Sequence, residues 1–533
     1  MSDPIGSIVH VSGYAVEGVV LVPSGISPTS DMSRIPRMGC LVRIETPASK
    51  VYGIISSLEL RTNTGSSEYG WEAAAKIDLL GEMLPVPGTD LWRFQRGVSI
   101  YPVLGSPIAL ASDEELGRIY AKPDKPSVRI GMLHQNKTIP AFVKINEMMG
   151  KHFSILGTTG SGKSSTVVLI LSALLDNLPK AHIVLIDPHD EYSQAFGDLA
   201  EVIAQDTLKL PYWFMNHEEL CEILTSKNTN STDAERLILK DAVTEARKQY
   251  MGESPRYIPN VDTPVPFRIQ HCYKMIEEAM GRLEKPEGAQ PYLRLLTRID
   301  SLKNDSRYSF MFQGISISDN MVPVLERILR RPVNGKPISI LNMAGVPAEV
   351  ADVVISFVCR TIFASGIWAP NPRLAPVLLV CEEAHRYVPR DDGAGFAPTR
   401  KAIAAIAKEG RKYGISLGLI TQRPSEISES VLSQCGTLFA LRMSNDKDQT
   451  FIKHAMPEGS DGFLKILPTL RTQECVVVGE GTEMPMRVKL DDLSADRRPR
   501  SDTADFASVW KTGEDNPNAL IQTVENWRRQ SKW

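Results

Sequence analysis

From residue 153 to about 490, short apolar runs alternate with stretches of helical spacing, the pattern of a parallel sheet covered by helices on both faces. The runs Phe153–Leu156, Ile183–Ile186, Ile338–Asn342, Val377–Cys381, Ser416–Thr421 and Leu438–Arg442 are predicted strands. Glu474–Val478 and Met486–Lys489 are expected to form an edge hairpin. Between about 205 and 335 the pattern changes: Glu218–Leu224, Ala234–Tyr250, Tyr273–Leu283 and Tyr292–Leu302 carry helical spacing around a proline-rich 254–266, as in a helical insertion. The first 112 residues are β-like, with strands predicted at Ile8–Leu21, Gly39–Glu45, Lys50–Leu58 and Gly97–Leu104, and such spacing suggests a small barrel. A polar stretch with Asp113-Glu-Glu and Lys122-Pro-Asp-Lys-Pro is the expected linker. Ser127–Met132 and Ala141–Ile145 then read as strands leading into the core. After 492 the chain is polar until Asn518–Trp527, a short amphipathic helix whose apolar face docks on its own body or on a neighbouring subunit; the pattern does not choose.

Composition narrows the class. The 533 residues are 42 % hydrophobic and 23 % charged, values of a globular chain, and two to four units are expected. No apolar run approaches the ~18 residues of a membrane span, and Met-Ser-Asp-Pro-Ile-Gly at the start is not a secretory signal. The expectation is therefore a cytoplasmic protein with no membrane partner. Seven scattered cysteines without a CxxC pair read as reduced and mostly buried. Net charge is −3, which gives no support to a surface coated for nucleic acid, so any DNA contact has to be local, such as the lining of a ring.

The chemistry centres on residues 153–166. An apolar run enters Gly157-Thr-Thr-Gly-Ser-Gly-Lys-Ser-Ser165, and a helical pattern leaves it. Gly157-x4-Gly162-Lys163-Ser164 is the phosphate-cradling P-loop pattern. Glycines let backbone N–H groups of Gly157, Thr158, Thr159, Gly160, Ser161 and Gly162 close on phosphate oxygens, and the helix that follows presents its positive end. Lys163 supplies an ammonium for the β/γ-phosphates, Ser164 a hydroxyl for Mg²⁺, and Ser165 continues the cradle. ATP and Mg²⁺ are the expected cofactors.

Binding alone does not hydrolyse, and further motifs supply what turnover needs. Val377-Leu-Leu-Val-Cys-Glu-Glu is a buried strand ending in two carboxylates, the Walker B arrangement. Glu382 stands where Asp usually holds the Mg²⁺ side, and Glu383 is the natural general base for the attacking water. Ile415–Ile420 leads into Thr421-Gln-Arg-Pro, where Gln422 either senses the γ-phosphate or caps the turn before Pro424. Arg411, in Glu409-Gly-Arg-Lys-Tyr-Gly414, answers a helix dipole or reaches across a subunit interface. Asp187 and His189 follow the second strand and either face the ligand crevice or build a proline turn with a capping Asp. Arg386, Arg390, Arg400 and Lys401 surround a flexible Asp-Asp-Gly-Ala-Gly and fit a channel loop or a plain surface loop equally.

Taken in order, Gly157-Thr-Thr-Gly-Ser-Gly-Lys-Ser-Ser, Ile186-Asp-Pro-His-Asp-Glu-Tyr, Leu210-Pro-Tyr-Trp, Cys381-Glu-Glu-Ala-His-Arg-Tyr and Gly410-Arg-Lys-Tyr-Gly resemble the HerA-like ATPases, of the same ring-translocase superfamily as FtsK. The resemblance spans about 1–495 and implies an α/β fold. Its parts are an N-terminal HAS-type β-barrel (1–125), a RecA-like P-loop ATPase core (126–204 and 336–495), a helical insertion (205–335) and a C-terminal brace or tail (496–533). It also implies a homohexamer that draws double-stranded DNA through its centre using ATP, with Arg411 as an arginine finger in trans and Gln422 as a sensor. Asp190 departs from the family, which commonly has Gly in that motif. In the family the motor typically works with a nuclease partner such as NurA on DNA ends. Two other classes fit the same motor fold: a ring scaffold regulating an anti-phage effector (a nuclease or a sirtuin-like NADase), and a secretion or conjugation ATPase.

Overall fold

The computed structural model describes residues 3–23, 35–61, 71–89, 92–205, 207–225, 232–252, 257–284, 286–312, 317–391, 393–455, 461–500, 506–512 and 517–529. Two compact units share the chain. One comprises Met1–Pro179, Glu383–Asp391 and Ser416–Arg498; the other comprises Lys180–Glu382, Asp392–Ile415 and Pro499–Trp533.

In the first unit, β1 (Gly6–Val11), β2 (Ala15–Val22), β3 (Leu41–Glu45), β4 (Lys50–Leu60), β5 (Trp71–Pro85), β6 (Trp92–Arg96) and β7 (Pro107–Leu110) form an antiparallel sheet in the order β2-β1-β7-β3-β4-β5-β6. Pairing of β2 with β5 closes six of them into a barrel and leaves β6 outside, on the far half of β5. Closure removes the open edges that a sheet of this size would otherwise expose. Val16, Val20, Val42, Ile44, Val51 and Ile108 fill its core. The expected strand over Ile8–Leu21 is a hairpin, because Ser12 turns the chain by donating both its N–H and its hydroxyl to Ala15 O. Gly97–Leu104 forms no strand: Gly97 and Gly105 have φ of 84° and 81°, and Pro102 lacks an N–H to donate. The polar stretch at 113 is not a plain linker but the helix Asp113–Ile119 behind a Ser112/Glu115 capping box. Glu115 also accepts from Arg43 at 2.8 Å and Tyr52 at 3.0 Å, which ties this helix to the barrel.

The later strands are β8 (Ser127–Leu133), β9 (Pro140–Lys144), β10 (Phe153–Leu156), β11 (Ile183–Asp187), β12 (Ala200–Ile203), β13 (Ile338–Asn342), β14 (Val377–Cys381), β15 (Ile415–Thr421), β16 (Thr437–Ala440), β17 (Glu474–Gly479) and β18 (Met486–Leu490). The first unit orders its strands β15-β10-β16-β17-β18-β8-β9, with β10 parallel to both β15 and β16. The hairpin β17–β18 is therefore interior and not at an edge. The two strands that precede the P-loop extend the sheet beyond it, β8 pairing with β18 and leaving β9 outermost.

The second unit carries four parallel strands, β12-β13-β11-β14. Between β12 and β13 run the helices His217–Leu224, Thr232–Met251, Ile269–Gly281, Gln290–Asn304 and Met321–Leu329. They are pinned by buried charge: Arg247 donates to Trp213 O and Met215 O at 3.1 Å, and Glu219 accepts from Arg360 and Ser356. The helix Ala348–Ile367 bears on the membrane expectation. With a mean hydropathy of 1.7 over its best window it is long and apolar enough to cross a membrane. Glu349, Asp352 and Arg360 interrupt its apolar run. That window is 67 % buried inside the protein, and Arg360 is bound to Glu219.

Candidate active site

β10 ends at Leu156 and the chain turns through Gly157–Gly162 into the helix Lys163–Asn177. Gly160 and Gly162 have φ of 73° and 103°, a region side chains avoid, and Gly162 is the N-cap itself. A Cβ on Gly157 would lie 2.7 Å from Ser161 Oγ and 2.8 Å from Leu441 Cβ. Thr158 is anchored from β16's end, its N–H and its hydroxyl each donating to Arg442 O at 3.0 Å. The Lys163 ammonium is turned onto Thr158 O at 3.3 Å, and Ser161 Oγ is buried with no hydrogen-bond partner. Ser164 and Ser165 lie half-buried in the helix's first turn.

Around this loop the same unit brings together residues far apart in sequence. The Thr159 hydroxyl donates to Gln422 Oε1, and Gln422 Nε2 donates to Glu383 Oε1 at 3.1 Å. Glu383 has φ of 52°, left-handed for a residue with a Cβ, and is 8 % exposed. Its Oε2 makes no hydrogen bond and lies 3.2 Å from His385 Nδ1. His385 Nδ1 is also 3.0 Å from Thr421 Oγ1, which accepts from Arg423 N–H. Burial lowers the His385 pKa against the opposing pull of Glu383. A carboxylate on left-handed backbone, tied to the P-loop through one amide and with one oxygen free of hydrogen bonds, has an acceptor to which a proton can be added.

In the second unit the loop after β11 is equally organised. Asp187 is fully buried, accepting from His189 N–H and Glu191 N–H at 3.2 Å and from Tyr192 N–H at 3.1 Å; burial raises its pKa to about 6. It builds the turn and does not face a crevice, while His189 is exposed. Asp190 takes φ of 58°, a conformation that Asp and Gly adopt more readily than other residues, and accepts from Ser193 Oγ at 2.6 Å. Tyr192 is buried, and its hydroxyl donates to Glu382 Oε2 at 2.6 Å.

Residues 128–362 match the family model described as "Helicase HerA, central domain". Over 474 residues the chain is 26 % identical to the DNA double-strand break repair helicase HerA of Sulfurisphaera tokodaii, covering 85 % of this chain and 88 % of that protein. Over 458 residues it is 24 % identical to the protein of that name from Pyrococcus furiosus, covering 80 % and 78 %. The chain is a P-loop ATPase, similar over most of its length to HerA helicases. Among solved structures, VirB4 of Thermoanaerobacter pseudethanolicus is similar with a TM-score of 0.49 and 18 % identity, covering 70 % of this chain and 99 % of that one.

The α/β P-loop core and the closed barrel expected of a HerA-like chain are both present. The glycine cradle fits nucleotide phosphates: a Cβ would obstruct it at 157, and 160 and 162 hold a backbone that favours glycine. The two predicted Mg²⁺ residues, Ser164 and Glu382, belong to different units. Arg411 is exposed on the short turn Gly410–Tyr413, braced by Tyr413 packing edge-on against Phe363. The basic segment divides: Arg390 lies over Phe451 in the first unit, and Lys401 pairs with Glu218 in the second. The sequence reading missed Thr159 as a side-chain contact, His385, Thr421 and Tyr192. The Ala-His-Arg after Walker B was the visible signal for His385.

Proposed function

We propose that this HerA-like ATPase is a ring-shaped motor that hydrolyses Mg²⁺–ATP to move double-stranded DNA through its centre, in the cytoplasm and with a nuclease or another effector protein as partner. What supports the reading is the unbroken run from the P-loop through Thr159 and Gln422 to Glu383, which couples phosphate occupancy to the base. The curated relatives bear the name of a DNA double-strand break repair helicase. In this reading the P-loop backbone and Lys163 hold the phosphates, Ser164 and Glu382 hold Mg²⁺, and the ion supplies charge neutralisation at the phosphates. Glu383 takes the proton of the attacking water, Gln422 registers the γ-phosphate, and Arg411 completes the site of a neighbouring copy in a homohexamer. The working parts are the barrel (1–125), the motor core (126–204 and 336–495), the helical insertion (205–335) and a C-terminal brace (496–533).

ATP turnover by the full chain, measured with and without linear duplex at low and moderate salt, tests it. Strong stimulation by duplex that fades with salt is expected, since phosphate contacts release counterions. Turnover indifferent to duplex would replace the motor with a ring scaffold that regulates an effector.

A further inference from the structure

We propose that Tyr192 is a positioning residue of the nucleotide site: its hydroxyl sets the Glu382 carboxylate, and glutamate stands at 382 because its longer side chain meets that hydroxyl. The inference rests on Glu382 as the Walker B carboxylate on the Mg²⁺ side, a position where P-loop enzymes ordinarily carry Asp.

Both ends of the Tyr192–Glu382 hydrogen bond are fixed. β11 and β14 run in parallel register with Ile186 opposite Cys381, and Glu382 N–H donates to Ile186 O at 3.3 Å. On the other side the Tyr192 backbone is held by Asp187 Oδ2, and the ring is completely buried. Asp190 keeps the intervening turn through Ser193. With both backbones held by these hydrogen bonds, loss of one methylene, about 1.5 Å of chain, would take the carboxylate out of reach of the 2.6 Å contact. The two departures of this chain, Glu at 382 and Asp at 190, thus belong to one device. Outer partners of this kind orient the residue that faces a metal and affect metal affinity more than fold.

The test uses the full-length protein, a fluorescent non-hydrolysable ATP analogue and Mg²⁺ titration, with Tyr192→Phe, Glu382→Asp and the double variant. Each single change is expected to raise the Mg²⁺ concentration for half-maximal binding about tenfold, with metal-free nucleotide affinity within about twofold. The double variant should be no worse than the more affected single one, because both remove the same bond. An unchanged Mg²⁺ midpoint in Tyr192→Phe, or single effects that multiply in the double variant, would overturn the pairing. Should Tyr192→Phe lose the folded state in a melting curve, Glu382→Asp decides alone: its midpoint must rise, and an unshifted one contradicts the proposal. Lys163→Ala is the control for the underlying site, since analogue binding that survives it would refute the P-loop assignment and not the pairing.

Discussion

Glu382 and Glu383 are neighbours in sequence and similarly buried, at 3 % and 8 % exposure, yet their surroundings treat them in opposite ways. Glu382 stands in the turn directly after β14, its N–H donating to Ile186 O, and its Oε2 receives a short bond from the buried Tyr192 hydroxyl. Glu383 breaks into left-handed backbone, shares one oxygen with a glutamine and keeps the other without a hydrogen bond. A carboxylate fixed for a static task is satisfied, whereas one that has to take a proton needs an acceptor left open. The difference arises from tertiary neighbours, Tyr192 for one and Gln422 with His385 for the other.

The comparison can be broken from outside. If the two acids sufficed for turnover, Arg411→Ala would leave it untouched; we expect a fall of about 10³–10⁵-fold with nucleotide binding retained, read by steady-state hydrolysis beside analogue binding. Gln422→Ala cuts the tie between Thr159 and Glu383, and hydrolysis should drop by about 10²-fold at saturating nucleotide. A wild-type rate in that variant would remove the sensor role.

Acid should act on the two regions with opposite sign. Burial lowers the His385 pKa in the folded protein, so the unfolded chain binds the extra proton more readily. Its contribution is intact above its unfolded value and declines as pH falls toward the folded one. Glu383, Glu426, Arg423 and Arg386 are the charges that bear on it. Asp187 is raised to about 6, so its contribution is present below its unfolded value near 3.8 and is lost as pH rises through about 6. Melting temperature followed from pH 7 to 5 should therefore fall less steeply in His385→Gln than in wild type. It should fall more steeply in Asp187→Asn, which loses the compensating gain. Parallel curves for all three proteins would show that neither group carries the dependence. The smallest effect is expected for Asp190→Gly, a few tenths of a kcal/mol in stability, since φ of 58° suits either residue and only the Ser193 bond is lost.

Much of the site was legible because its signals are local. An apolar run, a glycine loop and a helix predict the phosphate cradle, and an apolar strand ending in two acids predicts Walker B. What stayed hidden depended on partners distant in sequence. Tyr192 reads as one more tyrosine until β11 and β14 bring it to a residue 190 positions away. The barrel's longest strand, β5, was missed because Ala73, Ala74, Ala75, Gly81 and Glu82 dilute the β signal, and its order comes from pairing with β2, β4 and β6. The predicted strand at 97–104 failed for the converse reason, an apolar composition between two glycines that turn the chain.

The most direct measurement is single-turnover hydrolysis of prebound ATP in Glu382→Gln and Glu383→Gln, followed across Mg²⁺ concentration in full-length protein. The account predicts that Glu383→Gln binds ATP and hydrolyses it about 10²–10⁴-fold more slowly at every Mg²⁺ level, while Glu382→Gln regains turnover as Mg²⁺ is raised. Hydrolysis by Glu383→Gln at the wild-type rate would contradict the assignment of the base and, with it, the division of labour between the two carboxylates.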